Sequence, residues 1–459
     1  MEQLVSSQRK YFNSNATKPV EFRLAQLNKL KSILESNEEQ LQEAIQQDYG
    51  KGPFETFLTE TYFILEELNA ALKGLQDWAR VKPIETNVLN APAKSYIMPE
   101  PLGVSLVIAP WNYPYQLALN PAIAAMAAGC TVVLKPSELT PNCSRVLARL
   151  ITENFDPAYF AVVQGGVPET TALLEQKFDV IFFTGSVPVG KVVYQAAARH
   201  LTPVILELGG KSPAIIAADT DLDIAVRRLV WAKFVNGGQT CIAPDYVCVH
   251  QSIEQEFLET LAREIKNADY KFENGNLVKM VNERHASRLA GLIDGAKVYL
   301  GGGTDVKQRF IEPTVLTDVT WDDKVMQDEI FGPILPVMAY DDLDELIGQI
   351  KERPKPLALY LFTQDEAIKE KVLQEVSFGG GCINEAVMHF ANGELPFGGV
   401  GDSGIGNYHG EAGFRAFSHH KSILDKEVVP DPDLKYSPYT EEKLGVLRTI
   451  AGIQPTTVA

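Results

Sequence analysis

One of the five cysteines stands in a sequence context that favours chemistry over packing. Cys241 lies in GGQTCIAP (237–244), where small and polar residues precede it and a proline soon follows. This pattern predicts a tight turn that exposes the backbone, at the end of an amphipathic segment at 221–235. Cys248, by contrast, lies inside the apolar run YVCV, which is typical of a packing cysteine. The local context favours a reactive thiol at Cys241, with a simply buried cysteine as the alternative.

A carboxylate interrupts an otherwise apolar strand-like run. Glu207 stands in VILELGG (204–210), between Leu206 and Leu208. A carboxylate there is either exposed at the edge of a sheet or held in a pocket, where burial would raise its pKa toward neutrality and suit it to base catalysis. The seven histidines show no H-E-x-x-H or comparable spacing. The sequence therefore shows neither the ligand spacing of a metal site nor the arrangement of a Cys–His protease, and we expect no metal.

Two glycine-rich segments are candidate phosphate-binding loops. GSVPVGKV (185–192) nearly spells a Walker A loop, but Val192 replaces the Ser or Thr that would bind magnesium, which argues against a P-loop NTPase. Its backbone N–H groups and the helix predicted behind it suit a pyrophosphate, with a plain strand-to-helix turn as the alternative. GVGDSG (399–404) fits G-x-G-x-x-G literally, yet it follows LPF (395–397) rather than a strand. We interpret it as a tightly turned structural loop.

The elements that must position these residues alternate between strand-like and helix-like patterns. The strand-like runs are SLVIAP (105–110), TVVLKP (131–136), YFAVVQGG (159–166), DVIFFTG (179–185), VILELGG (204–210) and PAIIAAD (213–219). Amphipathic segments lie between most of them, at 117–128, 142–152, 168–176 and 186–200. This alternation predicts right-handed crossovers and a mostly parallel sheet with helices on both faces. Ligands of such sheets bind at the carboxyl ends of the strands.

Segments outside this alternation indicate further organisation. Residues 21–48 and 57–79 have helical periodicity, and the polar stretch at 82–95 fits a hairpin or an exposed arm. A second lobe with its own strand-like and helix-like runs is expected from Gly210 to about residue 400. We find no internal repeat and no low-complexity tract.

The composition excludes several classes of protein. The 459 residues suffice for two or three lobes. Acidic residues outnumber basic ones, 59 to 42, and the resulting charge of −17 repels phosphate backbones, so we expect no nucleic-acid partner. The five cysteines are widely spaced and lack a C-x-x-C pair, which argues against a disulfide scaffold. The N-terminus has no apolar signal core, so we expect a cytoplasmic protein.

One uncharged stretch raises the question of a membrane helix. No charged residue occurs from Pro101 to Leu134. Three prolines, Pro110, Pro114 and Pro121, interrupt the stretch, and a spanning helix would not tolerate that many breaks. We therefore interpret it as a buried strand, a loop, a helix and a second strand.

Eight motifs occur in an order that is specific to one family. They are PLGVSLVIAPWNYP (101–114), VVLKPSE (132–138), FFTGSVPVGK (182–191), LELGGKSP (206–213), GQTCIAPDY (238–246), EIFGP (329–333), LPFGGVGDSGIGNYHG (395–410) and FSHHK (417–421). Together they resemble the aldehyde dehydrogenases over nearly the whole chain. The early start and the IAPDY that follows the cysteine resemble the dimeric class 3 type, which includes the fatty-aldehyde enzymes.

The resemblance implies an NAD(P)-dependent enzyme that oxidises aldehydes to carboxylic acids. Cys241 resembles the nucleophile that forms a hemithioacetal and then, after hydride transfer, a thioester. The Asn112 side-chain amide and the Cys241 backbone N–H resemble the oxyanion-stabilising pair. Glu207 resembles the base that activates water to hydrolyse the thioester. The small-molecule partner is then an aldehyde.

The resemblance also implies which residues bind the cofactor and the substrate. Those that resemble cofactor-binding positions are Lys135, Ser137 and Glu138 near the adenosine ribose, Gly185, Ser186 and Gly190 near the pyrophosphate, and Glu329 and Phe331 near the nicotinamide ribose. Glu138 favours NAD, and NADP stays open. From the residues alone, Glu329 would be part of a solvated acidic face with Asp322, Asp323 and Asp328. Tyr62, Phe63, Tyr113 and Phe397 are candidates for the aldehyde channel, although aromatic residues on such segments are more often core.

The implied fold is an α/β aldehyde dehydrogenase fold. It comprises a Rossmann-like cofactor-binding domain at 1–82 and 102–208 and an α/β catalytic domain at 209–400. Bridging elements at 83–101 and 401–459 would build a homodimer. We expect no membrane anchor, because the C-terminal LGVLRTIAGIQPTTVA has too few apolar residues.

Two other functions stay open for such a chain. An acylating relative would pass the acyl group to coenzyme A and would not need the hydrolytic carboxylate that Glu207 supplies. A catalytically silent structural homologue would have no need to retain Cys241, Glu207, Asn112 and Glu329 together.

Overall fold

The computed structural model describes residues 1–430 and 432–453. The α-helices are α1 (Glu2–Asn13), α2 (Val20–Ser36), α3 (Glu38–Tyr49), α4 (Pro53–Thr56), α5 (Tyr62–Trp78), α6 (Gln116–Ala128), α7 (Pro141–Asn154), α8 (Val167–Leu174), α9 (Val187–Ala198), α10 (Leu222–Phe234), α11 (Glu254–Ala268), α12 (Glu283–Ala290), α13 (Leu343–Lys351), α14 (Glu366–Glu375), α15 (Gly410–Ala416) and α16 (Glu441–Ile450). The strands are β1 (Lys82–Ile84), β2 (Ala93–Pro101), β3 (Val104–Ile108), β4 (Thr131–Lys135), β5 (Phe160–Val162), β6 (Val180–Thr184), β7 (Val204–Glu207), β8 (Pro213–Ile216), β9 (Tyr246–His250), β10 (Val298–Leu300), β11 (Thr304–Asp305), β12 (Phe310–Ile311), β13 (Thr314–Leu316), β14 (Ile334–Tyr340), β15 (Ala358–Phe362), β16 (Gly380–Ile383), β17 (Gly404–Ile405) and β18 (Ser418–Lys426).

A six-stranded sheet has the order β17-β7-β6-β3-β4-β5. Strands β3 to β7 are parallel, and β17 adds to the edge antiparallel to β7. Every residue of β3, β4 and β6 is buried, as expected when helices cover both faces of a parallel sheet. The chain adds β4 and β5 on one side of β3 and returns to its other side with β6. This reversal opens a crevice at the carboxyl ends of β3 and β6, where doubly wound sheets bind ligands.

A seven-stranded sheet has the order β10-β13-β14-β9-β8-β15-β16. Neighbouring strands of this sheet are parallel, except that β10 is antiparallel to β13. The second lobe expected after Gly210 is therefore built on its own sheet. Both sheets confirm the predicted α/β class.

The uncharged segment at 101–134 folds as predicted into β3, a loop, α6 and β4. Helix α6 is buried along its whole length and contains Pro121. Within residues 1–430 and 432–453, no helix combines the length and the apolar character needed to cross a membrane. Residues 454–459, which belong to the C-terminal stretch for which we expected no anchor, lie outside the described residues.

The predicted helix at 21–48 is in fact two helices that meet at Asn37. The backbone of Asn37 leaves the helical region (φ −125°), and its side-chain amide donates to the Ile33 carbonyl at 2.7 Å. An asparagine side chain that bonds the backbone in this way competes with the helix and ends α2.

The chain forms two compact units. The first contains residues 1–75 and 101–418, and therefore both large sheets. The second contains residues 76–100 and the described residues from His419 onward. In the second unit, β1 pairs antiparallel with β2, so the stretch at 82–95 belongs to the hairpin that was one of its two predicted forms. Strand β18 completes a three-stranded sheet with the order β1-β2-β18.

Candidate active site

The turn that carries Cys241 is built from three consecutive left-handed residues. Helix α10 ends at Phe234, and Asn236, Gly237 and Gly238 have φ values of 56°, 60° and 73°. A Cβ on Gly238 would lie 2.4 Å from the Gly332 carbonyl oxygen, so only glycine fits there. The predicted tight turn at the end of an amphipathic helix is thus observed.

The side chain of Gln239 fixes the shape of this turn. Its Nε2 donates to the carbonyl oxygens of Asn236 at 3.0 Å and Lys279 at 3.2 Å, and its Oε1 accepts the Val281 N–H at 3.0 Å. The Asn236 N–H donates to Glu55 Oε1 at 2.7 Å. The thiol is therefore carried by a backbone with little freedom to move.

Asn112 follows β3 and is tied to the same turn. Its Nδ2 donates to the Gln239 carbonyl at 3.0 Å, and its own carbonyl accepts from the Tyr49 hydroxyl at 3.0 Å and from Asn236 Nδ2 at 2.8 Å. The side chain is 3% exposed. An amide NH₂ carries two donors, so one N–H stays available after the bond to Gln239.

Glu207 ends β7 and is 2% exposed. Neither carboxylate oxygen has a hydrogen-bond partner within residues 1–430 and 432–453. Burial raises the pKa of Glu207 well above its usual value. The sequence allowed two positions for Glu207, an exposed sheet edge and a pocket. The structure shows Glu207 in a pocket.

Two cavities meet at the thiol and this carboxylate. A large cleft of about 940 Å³ lies on one side, and a smaller apolar pocket of about 60 Å³ lies on the other. Cys241, Glu207 and Thr184 belong to the walls of both. A large ligand in the cleft and a small apolar group in the pocket could therefore both reach the Cys241 thiol.

The thiol of Cys241 is held in its protonated form. Burial raises its pKa most, and the negative charges of Glu329 and Glu207 raise it further. The thiolate is the nucleophilic form of cysteine, so this thiol needs a base before it can react. Glu207, the carboxylate on the wall of both cavities, is the candidate.

Some of the predicted cofactor-binding residues line the large cleft. Its walls include Gly185, Ser186, Glu329 and Phe331. Helix α9 begins beside it with Ser186 as the N-cap, and its first turn, Val187–Gly190, adds no charge of its own. The N-terminus of a helix presents free N–H groups and a positive dipole end, which suit a phosphate.

The other predicted cofactor-binding residues lie outside the walls of this cleft. Lys135 Nζ pairs with Glu138 Oε2 at 3.0 Å, and Ser137 Oγ accepts the Leu139 N–H at 3.2 Å, both at or just after the carboxyl end of β4. Gly190 packs instead against Leu208, the residue after β7, because a Cβ on Gly190 would lie 2.6 Å from Leu208 Cδ2.

The Glu329 side chain lies against Gly209 at the wall of the large cleft. A Cβ on Gly209 would lie 2.1 Å from Glu329 Oε2, so the absence of a side chain there makes room for the carboxylate. Burial, and then the charge of Asp245, raise the pKa of Glu329 to about 8. Arg288 holds the same loop through the carbonyl oxygens of Glu329 and Ile330. Glu329 is half-exposed and lies in the wall of the large cleft, as the cofactor-binding prediction requires.

Three of the four predicted channel aromatics line the apolar pocket. Phe63 and Phe397 contribute rings, and the Tyr113 hydroxyl bonds Thr240 Oγ1 at 2.6 Å. Tyr62 lies outside the lining, where it is 42% exposed and packs edge-on against Phe63 at 5.3 Å.

Several lining residues were not predicted from the sequence. They are Lys191, His285 and Arg288 in the large cleft, and Phe390, Met388 and Tyr408 in the apolar pocket. Trp111 and Thr184 also belong to the cleft wall, as expected for residues at the carboxyl ends of predicted strands. Most of the unpredicted residues come from segments distant in sequence and carry no local signal of their own.

Comparison with known proteins agrees with this geometry. The family model for "Aldehyde dehydrogenase family" matches residues 1–423. The chain belongs to the aldehyde dehydrogenase family. Members with that name are aldehyde-oxidising oxidoreductases, and this chain shares their fold.

Individual relatives cover almost the whole of this aldehyde dehydrogenase. The 4,4'-diaponeurosporen-aldehyde dehydrogenase of Staphylococcus aureus is 45% identical over 447 residues, 96% of each chain. A dimeric NADP-preferring aldehyde dehydrogenase of Canis lupus familiaris is 42% identical over 438 residues, 95% of this chain and 96% of its own. A solved structure described as the substrate-bound state of Staphylococcus aureus AldH has a TM-score of 0.95 and 44% identity, and the match covers 98% of this chain and 99% of that one.

Proposed function

We propose that this enzyme oxidises aldehydes to carboxylic acids with NAD or NADP through a thioester on Cys241. The observation that carries the proposal is the junction of the two cavities. The half-buried Cys241 thiol and the unpartnered carboxylate of Glu207 lie there together. An unpaired buried carboxylate is unfavourable for the folded state, and a catalytic base accounts for its presence.

The large cleft fits a dinucleotide. The helix N-terminus at Gly185–Ser186 would bind the pyrophosphate, and Glu329 with Phe331 would bind the nicotinamide ribose. Lys135, Ser137 and Glu138, beyond the cleft walls, would bind the adenosine ribose. When bound, the nicotinamide supplies the acceptor for the hydride that leaves the aldehyde carbon. Solved relatives include a Mycobacterium tuberculosis aldehyde dehydrogenase with NAD⁺ and a Methanocaldococcus jannaschii dehydrogenase with NADP, and both cofactors stay within the proposal.

The chain's own groups account for the covalent steps. Glu207 takes the proton of the Cys241 thiol, and the thiolate attacks the aldehyde carbon. The oxyanion that forms accepts hydrogen bonds from the free N–H of Asn112 and from the Cys241 backbone N–H. Loss of hydride leaves a thioester. Glu207 first releases the thiol proton to solvent through the open cleft and becomes a carboxylate again. It then removes a proton from water, whose oxygen attacks the thioester carbon. The departing thiolate takes this proton back from Glu207 as the carboxylic acid is released.

The two other functions make different demands on Glu207. Transfer to coenzyme A would replace water by a thiol and would leave this buried carboxylate without a use. A silent homologue would gain stability by replacing it with an apolar residue. The buried, unpartnered state of Glu207 therefore favours hydrolysis.

We also propose domain roles and a homodimer. The cofactor-binding role belongs to 1–82 and 102–208, the catalytic role to 209–400, and the bridging role to 83–101 and 401–459. Relatives described as dimeric support the homodimer.

The proposed function predicts that the purified enzyme produces NADH or NADPH from linear, branched or aromatic aldehydes. Cys241→Ala should abolish turnover, because among the described residues no other cysteine belongs to either cavity wall. Cys382→Ala is the matched control, since Cys382 is also only half-buried but lies outside both walls. The proposal fails if no aldehyde reduces either cofactor, or if Cys241→Ala keeps its activity.

A further inference from the structure

A third cavity adjoins the apolar pocket, with which it shares two aromatic wall residues. It has a volume of about 240 Å³ and is called the polar cavity here. Phe63 and Phe390 belong to the walls of both the apolar pocket and the polar cavity. Their rings meet edge to face with centroids 4.5 Å apart. These two aromatic side chains therefore form the partition between the two spaces.

His409 presents an unsatisfied ring nitrogen in the wall of the polar cavity. The residue is 4% exposed, and its Nε2 has no hydrogen-bond partner in the described part of the chain. Its backbone is held at a φ of 85°, an uncommon conformation for a residue with a side chain. The ring stacks on Phe397 at 5.5 Å and contacts Phe390 at 5.6 Å. Burial lowers the pKa of His409 to about 3, so the ring is neutral at physiological pH.

Asn120 supplies a second unsatisfied group from a different element. It lies on α6 and is 2% exposed, and its Oδ1 has no partner among residues 1–430 and 432–453. The same helix contributes Gln116 and Leu117 to the apolar pocket about one turn earlier. Helix α6 therefore runs from the apolar pocket to the polar cavity.

The remaining charges around the polar cavity are negative. Glu67 is 5% exposed and accepts the Gly410 N–H at 3.0 and 3.3 Å. Glu66 and Glu394 are exposed members of the same wall. Among the described residues, the wall includes no lysine or arginine. This arrangement offers hydrogen-bond acceptors to a donor and repels a carboxylate.

We propose that the polar cavity binds the terminal hydroxyl of a bifunctional aldehyde whose other end reacts at Cys241. The apolar chain of this substrate passes between Phe63 and Phe390. Its hydroxyl donates a hydrogen bond to Asn120 Oδ1 and accepts one from the N–H at His409 Nε2. This substrate class rests on the proposed function. It explains why Asn120 Oδ1 and His409 Nε2, from two elements that line one cavity, have no partner among the described residues, since a ligand hydroxyl would satisfy both.

The test uses sets of three aldehydes. The three members of a set have the same chain length, and successive sets have longer chains. One ends in a methyl group, one in a hydroxyl and one in a carboxylate. At the length that spans the partition, kcat/KM for the hydroxyl-ended aldehyde should exceed that for the methyl-ended one by about tenfold, the effect expected of two neutral hydrogen bonds. The carboxylate-ended aldehyde should be the poorest substrate.

Two variants assign this preference to the polar cavity. His409→Phe and Asn120→Leu should each lower kcat/KM for the hydroxyl-ended aldehyde and leave the value for the methyl-ended one nearly unchanged. Because they alter different elements, a folding failure in one leaves the other as a test. His389→Phe is the matched control: His389 also has an unpartnered, buried Nε2 and stacks on Phe397, but it lies outside the polar cavity wall.

The outcomes separate this inference from the function beneath it. If methyl-ended aldehydes are oxidised and a terminal hydroxyl gives no advantage at any length, the substrate class is wrong and the function stands. A preference for the carboxylate, or a hydroxyl preference that survives both variants, also overturns it. If no aldehyde is oxidised, both proposals fail.

Discussion

Glu207 is held in a state that lowers the stability of the folded protein. A carboxylate that is 2% exposed and lacks hydrogen-bond partners in the described chain is favourable only when protonated. Its raised pKa expresses the same fact. A group whose pKa is higher in the folded than in the unfolded state loses stability as the pH rises past the unfolded value of about 4.3.

We therefore expect Glu207→Gln to raise the melting temperature by a few degrees at neutral and alkaline pH. The gain should shrink as the pH falls toward the unfolded pKa, because wild-type Glu207 is then protonated in both states. Thermal melts across a pH series measure this difference. Glu43→Gln is the control, because Glu43 is an exposed carboxylate on α3. A wild type as stable as Glu207→Gln at every pH would show that the buried charge carries no penalty.

Some site residues can be read from the sequence because their local context is distinctive. Cys241 stands in a glycine turn, and Glu207 interrupts an apolar strand. Glu329 has no such context: its acidic neighbours suggest a solvated surface, and only the distant Gly209 makes room for its carboxylate. His409 and Asn120 likewise meet at the polar cavity from positions far apart in the chain. Local patterns carry no information about such meetings.

At the scale of elements, a buried ion pair supports the loop that carries Asn112. Lys51 and Glu60 are both fully buried, with Lys51 Nζ 3.9 Å from Glu60 Oε1. The other carboxylate oxygen accepts the N–H groups of Tyr115 at 3.1 Å and Gln116 at 2.7 Å, where α6 begins. The Lys51 ammonium also lies over the Tyr113 ring at 4.5 Å. The pair therefore fixes both the start of α6 and the ring beside Asn112.

We expect Glu60→Gln to lower the free energy of unfolding by about 3 kcal/mol, because the buried Lys51 ammonium then keeps only the charge of Glu55 to offset its own. The double variant Lys51→Met/Glu60→Gln should recover much of this loss, since neither charge then remains. Chemical denaturation of wild type, both single variants and the double variant measures the coupling. Additive losses across this cycle would mean that the two side chains do not stabilise each other.

The sequence predicts elements better than it predicts their interruptions. The parallel strands were predictable because they are short runs of buried apolar residues between amphipathic segments. The division between α2 and α3 was not, because it depends on one Asn37 side-chain bond within a continuous helical pattern. The π-helical turn at Phe57–Thr61, which carries Glu60, also lies within helical periodicity and has no separate signal.

At the scale of the whole molecule, the second compact unit leaves apolar side chains in water. Leu424 on β18 is 47% exposed, Ile84 on β1 is 50% exposed, and Val428 is fully exposed. Contiguous apolar patches mark sites of association between chains, and Ile84 and Leu424 lie in the same three-stranded sheet. They support the proposed homodimer, with this unit as the bridging element.

We expect the wild-type protein to sediment as a dimer and Leu424→Lys to shift it toward the monomer. A lysine at an apolar contact would bury a charge and weaken association. Leu373→Lys is the matched control, because Leu373 is 46% exposed on α14 in the first unit. Analytical ultracentrifugation over a concentration series gives the result. A monomeric wild type, or equal effects of the two substitutions, would argue against association through this unit.

The most direct test of the central claim is the intact-protein mass of Glu207→Gln, followed over time during incubation with an aldehyde and NAD. Glu207→Gln lacks the base for both steps, so the acylation of Cys241 should be slow, but hydrolysis should be slower still because water is a poorer nucleophile than the thiol. Over a time course the variant should therefore accumulate a species heavier by one acyl group. Peptide mapping should place that group on Cys241, and Glu207→Gln/Cys241→Ala should show none of it. Full turnover by Glu207→Gln without any acyl adduct would contradict the account, because water would then reach the thioester without this base.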